Sequence, residues 1–193
     1  MQDITPDQIE FTKPQLIIQQ QFFDHRGKFL PTPTDSRWIQ DNVSTSKKGT
    51  FRGMHFQVGN YSQAKLVRVL SGSVIDIIVD LRNHTDNKNY LNVYYYYLAG
   101  FDNAHNHYSL YIPRGFAHGF IALEDNTVFN YLVDNLYDPE SDRTINYKSF
   151  PFIVETANRF GFSETELLIS PKDHNAPMLE DWLEKKEIDT FEF

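Results

Sequence analysis

The chain has 193 residues and no cysteine, which is enough length for a buried core and excludes both a disulfide framework and a thiolate metal site. Hydrophobic residues make up 40% and charged residues 23%, the balance of a folded globular protein and not of a disordered or fibrous one. A formal net charge of -8 argues against a nucleic-acid partner, whose phosphates require neutralising cations.

Residues 1–15 hold acids and prolines where a secretory signal needs a basic start and an apolar core. No apolar run approaches the roughly 18 residues needed to span a bilayer. A cytoplasmic protein with no membrane partner is expected. Residues 35–39 read as a turn of helix. Over residues 51–137, short β-branched and aromatic runs alternate with Gly, Asn, Asp and Pro, a pattern of strands and tight turns. The 16 Phe and 11 Tyr suit strands and ring-binding pockets alike. Residues 64–70 and 74–81 alternate on either side of Ser71-Gly72-Ser73, which predicts a hairpin. A strand over 93–98 leads into a polar loop over 99–109. A strand then resumes at 109–113, a turn at 113–115 enters another, and 127–137 forms a further one. Such strands build a sandwich or closed barrel, since one sheet would leave an apolar face bare. Residues 152–168 read as a surface insertion and 178–186 as an amphipathic helix. No repeat, low-complexity tract or linker divides the chain, so one all-β domain over 1–193 is expected, with short peripheral helices.

Four places set ionisable groups among strand residues. In FRGMHFQ (51–57) a strict period of two puts Arg52 and His55 on opposite faces, and a bulge at Gly53 would bring them onto one. His55 is then either a pocket base or a half-buried histidine bonded to a carbonyl. Lys65 shares a strand face with Val67 and Val69. If that face is interior Lys65 is functional, because lysine is rarely buried unpaired, and if it is exterior Lys65 is ordinary. Tyr131, on one face with Phe129 and Val133, is a core aromatic or a ligand-facing hydroxyl. SPKDHNAP (170–177) carries Lys172 and Asp173 and reads locally as a surface loop. His105 and His107 form a His-x-His pair, but they lie in the polar loop with no glutamate nearby, so no metal site is expected. His118, between glycine and aromatics, is a pocket residue or a packed core histidine. There is no Gly-rich phosphate loop, G-x-S-x-G elbow or H-E-x-x-H motif.

DHRGKF (24–29), IQDNVSTS (39–46), FRGMHFQ (51–57), AKLVRVLSGSVIDIIVDLR (64–82), YIPRGFAHGF (111–120), FNYLVDNLYDPESD (129–142) and SPKDHNAP (170–177) follow one another along the chain. In that order, these blocks resemble the dTDP-4-dehydrorhamnose 3,5-epimerase family over nearly the full length. The resemblance implies a cupin-like jelly-roll barrel, a homodimer, a nucleotide-sugar substrate, and no metal or organic cofactor. It also implies the reaction: inversion at C3 and C5 of dTDP-4-dehydro-6-deoxy-D-glucose by proton removal and return through an enolate. By position, His55 matches the general base, Asp173 the carboxylate that orients it, and Tyr131 the general acid. Lys65 and Arg52 match residues near the substrate, and His118 and Lys172 match pocket positions. Arg26, Phe29, Gln40, Asn42, Tyr137 and Asp142 match nucleotide-contact positions, with Arg26 and Phe29 reaching the neighbouring subunit. The chain departs from the family pattern at Pro31, where an acid is usual, at Val43 in place of a histidine, and at Leu136 in place of a tyrosine. The competing readings are inversion at one carbon only, a different nucleotide-linked 4-keto-6-deoxy sugar, and a cupin that binds sugar or metal without this activity.

Overall fold

The structure, a computed structural model, describes residues 12–31, 36–82, 89–100 and 107–185. In chain order the strands are β1 (Gln15–Gln19), β2 (Phe22–Asp24), β3 (Gly27–Phe29), β4 (Gln40–Ser46), β5 (Thr50–Gln57), β6 (Lys65–Ser71), β7 (Ser73–Asp80), β8 (Val93–Ala99), β9 (His107–Ile112), β10 (Phe116–Ala122), β11 (Thr127–Val133), β12 (Asp142–Thr144) and β13 (Leu168–Ile169). The helices are α1 (Pro151–Arg159), α2 (Pro171–His174) and α3 (Leu179–Lys185). One sheet has the order β1-β9-β6-β11-β4 and the other β12-β5-β10-β7-β8, with β13 added in parallel to β5. All other pairings are antiparallel, and β2 and β3 form a separate ribbon. Two facing antiparallel sheets with these crossovers make the cupin-like jelly-roll.

Period-two alternation sends Val67 and Val69 of β6, Val74 and Ile78 of β7, and Phe129 of β11 into the space between the sheets, where Phe129 stacks on Phe120 at 4.3 Å. The other face of β7, with Ile75, Ile77 and Val79, packs beneath a layer containing Ile153, Ala157, Phe162, Leu179 and Trp182. Both faces of β7 are therefore buried along its whole length. Each large apolar side chain so buried contributes about 1.5–3 kcal/mol. That gain offsets the cost of the few polar groups held in the same interior.

Four expectations change. Residues 64–81 are not a hairpin, because β6 and β7 belong to different sheets. The turn signal is real, but Gly72 (φ +78°) turns a corner between layers, and a Cβ there would lie 2.5 Å from Thr127 Oγ1. The loop expected over 99–109 is shorter, since Ala99 ends β8 and His107 begins β9; His105 lies outside the described residues. Residues 152–168 are not a surface insertion. In α1, Ile153, Thr156 and Ala157 are buried at helical spacing over the second sheet. Helix thus forms outside 35–39 and 178–186, the segments expected to carry it, while α3 occupies the second of these. Of the turn expected over 35–39, Asp35 lies outside the described residues and Ser36 and Arg37 form a turn before β4.

Candidate active site

The site begins with an irregularity in β5. His55 pairs with His118 and Arg52 with Phe120, so two residues of β5 stand against the single Gly119 of β10. The extra residue is a bulge, and it brings Arg52 and His55 onto one face, with His55 half-buried and Arg52 exposed at its edge. Gly53 (φ +152°) makes the bulge possible, since a Cβ on it would fall 2.7 Å from the Gly119 Cα.

SPKDHNAP lies at the surface, but Pro171–His174 within it form α2 instead of a loop. Ser170 caps α2 by accepting the Asp173 amide at 3.1 Å, and this fold-back buries Asp173. Its Oδ1 lies 2.8 Å from His55 Nε2. A carboxylate only accepts, so Nε2 carries the hydrogen and Nδ1 presents its lone pair. Burial, the largest single influence on Asp173, pushes its pKa up. The His55 ring, the Gly53 amide and the Ser170 hydroxyl together outweigh it and hold the carboxyl below its ordinary value. A cavity of about 580 Å³, lined by Arg52, His55, Lys172 and Asp173 among others, opens onto this pair.

Behind His55 the interior holds a second group of polar side chains. Lys65 is on the interior face and buried, and its Nζ donates to the His55 carbonyl at 3.4 Å. Burial lowers its pKa to about 8 against the opposing charges of Asp142 and Asp76. His118 Nε2 lies 2.9 Å from Asp76 Oδ2, and both side chains are buried. Burial lowers the His118 pKa and raises that of Asp76. Tyr131, half-buried at the edge of the same core, has its phenol pKa raised by burial and lies within electrostatic reach of Arg52 and Asp142. Asp142 Oδ2 accepts from Lys172 Nζ at 2.5 Å and from the Tyr137 hydroxyl at 3.4 Å.

Arg52 donates to Ser46 Oγ at 3.1 Å, tying β5 to β4. Asn42 is the cross-strand neighbour of Tyr131 and accepts from Gln40 at 2.8 Å. Arg26 and Phe29 are not brought to this site within the chain. They lie on the exposed β2–β3 ribbon and line a separate cavity of about 550 Å³, with Arg26 paired to Asp24 at 2.6 Å. His107 is buried, its Nε2 facing the Val69 carbonyl and its Nδ1 facing Gln19, each at 2.7 Å. It closes the end of the ladder between β6 and β9. Among the described residues no group of three His, Asp or Glu is placed to hold a metal ion, and no helix is long and apolar enough to cross a membrane.

Sequence reasoning missed Asp76. Its signal was present: an acid at period-two spacing between Val74 and Ile78, a position where a carboxylate stays buried only with a partner. Thr144, the cross-strand neighbour of His55, was missed as well and carried no signal.

The family model described as dTDP-4-dehydrorhamnose 3,5-epimerase matches residues 10–181. The enzyme of that name from Escherichia coli (strain K12) is 35% identical over 184 residues, covering 90% of this chain and 94% of the relative. The one from Methanothermobacter thermautotrophicus is 35% identical over 170 residues, covering 83% and 86%. Among solved structures, the dTDP-6-deoxy-D-glucose-3,5-epimerase of Legionella pneumophila in complex with dTDP-4-keto-L-rhamnose superimposes with a TM-score of 0.78 at 30% identity, covering 96% of each chain.

Proposed function

The chain belongs to the dTDP-4-dehydrorhamnose 3,5-epimerase family, and we propose that His55, Lys65 and Tyr131 carry that family's reaction in it. The enzyme is an isomerase that converts dTDP-4-dehydro-6-deoxy-D-glucose to dTDP-4-dehydro-L-rhamnose, inverting C3 and C5 through an enolate.

C3 and C5 both flank the C4 ketone, so removing either proton places the electron pair on the same oxygen. His55 Nδ1 takes the proton, and Asp173 at Nε2 fixes the tautomer and stabilises the imidazolium that forms. Lys65, whose pKa of about 8 leaves it mostly cationic at pH 7, stabilises the enolate oxygen in a poorly hydrated interior where such a charge acts strongly. Tyr131 returns a proton to the opposite face of the sugar; burial raises its pKa, so the phenol is protonated when needed. Exchange with solvent then resets the imidazolium and the phenolate. Arg52 and His118 border the sugar, and Lys172, Gln40, Asn42, Tyr137 and Asp142 serve the nucleotide end. The observation that carries this reading is the 2.8 Å contact between His55 and Asp173 at the mouth of an interior that holds a buried lysine.

The same proposal has the chain working as one domain in a cytoplasmic homodimer. The exposed Phe22, Phe23 and Phe29 on the β2–β3 ribbon support an arrangement in which Arg26 and Phe29 reach the partner's site. Proton NMR in deuterated water, with dTDP-4-dehydro-6-deoxy-D-glucose as substrate, tests the reaction and its base. Wild type should lose both the C3 and the C5 signals, and His55→Ala should slow both by about 1,000-fold. Loss of one signal alone would make the enzyme a single-site epimerase, and unchanged exchange in His55→Ala would remove His55 as the base.

A further inference from the structure

Asp142 stands between two cations. On its outer side is Lys172 of α2, whose side chain is 60% exposed and whose Nζ touches Asp142 Oδ2 at 2.5 Å. On its inner side are Lys65 of β6 and Tyr131 of β11, both of which feel its charge. The backbone register explains the position. Asp142 pairs with Gln57 and Thr144 with His55, so β12 presents Asp142 to the barrel interior, and its side chain is only 14% exposed.

Lys65 is in an unusual state for a buried lysine. Its ammonium reaches the His55 carbonyl at 3.4 Å and forms no ion pair among the described residues. The groups facing it are His55 of β5, Asp76 of β7, His118 of β10, Tyr131 of β11 and Asp142 of β12, and of these Asp142 favours its charged form most, ahead of Asp76. Asp76 is already engaged by His118. Asp142 is engaged by Lys172 and, at 3.4 Å, by Tyr137. A carboxylate held against an external ammonium presents a dipole to the interior, whereas the same carboxylate without it presents a full negative charge.

We propose that Asp142 is a charge switch linking the nucleotide end of the site to its catalytic end. Without substrate, Lys172 neutralises Asp142. The diphosphate of the bound nucleotide draws Lys172 away, and the released carboxylate then holds Lys65 cationic and Tyr131 protonated. Asp142 is thus a positioning residue acting through Lys65, and the cation that stabilises the enolate is secured only when the nucleotide is engaged. An uncompensated opposite charge in a poorly hydrated interior alters a protonation equilibrium about tenfold or more. This inference rests on the proposed substrate and on the role given to Lys65, and it adds the coupling between them.

Calorimetric titration of the full chain with dTDP at pH 8, in two buffers of different ionisation enthalpy, counts the protons taken up on binding. Lys65 is about half protonated at that pH, so wild type should take up about 0.4 of a proton per dTDP. Asp142→Asn and Lys172→Met should each abolish the uptake, the first because no charge is released and the second because it is released already. Asp142→Glu should restore it, and Lys65→Met should remove it, identifying the group that titrates. Asp142→Asn should also move the basic limb of the pH–rate profile to lower pH. Binding of dTDP without proton uptake in wild type, or uptake that survives in Asp142→Asn, overturns the switch alone. Failure of dTDP to bind wild type overturns the nucleotide-sugar reading together with it.

Discussion

His55 with Asp173 and His118 with Asp76 are two copies of one hydrogen bond, 2.8 Å and 2.9 Å long, on residues that face each other across β5 and β10. Their surroundings separate them. The His55 side chain is 35% exposed and Asp173 belongs to a short helix at the rim, whereas the His118 and Asp76 side chains are 8% and 0% exposed. Deep in the barrel, burial disfavours charge on both members, lowering the pKa of His118 and raising that of Asp76. At the rim, the His55 ring, the Gly53 amide and the Ser170 hydroxyl together hold the Asp173 carboxyl below its ordinary value against its burial. One pair can therefore accept a proton and stabilise the cation formed. The other holds a neutral imidazole that can orient a ligand without competing for the substrate proton.

Of the two carboxylates, the one at the rim should matter more. Asp173→Asn is expected to slow deuterium exchange at C3 and C5 by about 100-fold or more while the fold is kept; a loss under about threefold would make the two pairs equivalent and remove the orienting role. The inner pair should act chiefly through Lys65. kcat/KM should fall as pH rises through about 8, where Lys65 of the free enzyme loses its proton, by about tenfold per pH unit above that. Asp76→Asn removes one of the charges that raise the Lys65 pKa, so it should shift this limb down by about one unit, costing about twofold at pH 7 and about tenfold at pH 9. A limb that stays in place in kcat/KM profiles would show that Asp76 does not sustain Lys65. The smallest effect on rate should come from a third histidine, buried away from the cavity that His55 lines. His107→Phe removes the contacts to Val69 and Gln19, and it should lower stability in urea unfolding by about 1–3 kcal/mol. Turnover per folded molecule should remain within about twofold of wild type.

Much of the architecture was legible in local pattern. Alternation over 51–137 announced strands, and Gly53 between Arg52 and His55 announced the bulge. Resemblance to known motifs, not spacing, supplied the partnership of His55 with Asp173, which are 118 residues apart. Local pattern misled where it was read too far. The Ser71-Gly72-Ser73 turn was identified as a turn, yet nothing local says whether the next strand returns to the same sheet or crosses to the other. Reading 152–168 as an insertion passes over the helical spacing of Ile153 and Ala157.

Local sequence is thus enough to mark strands over 51–137, to say which of their side chains share a face and where the backbone must bend, and to show which family's motifs the chain carries. These follow from chain stereochemistry and composition over a few residues. Only the tertiary structure decided that the face carrying Lys65 points inward, that Asp76 meets His118, and that Asp142 lies between Lys172 and Lys65. Those facts depend on how two sheets close over one interior. Desolvation and charge there are summed over residues far apart in the chain, so no local stretch contains the answer.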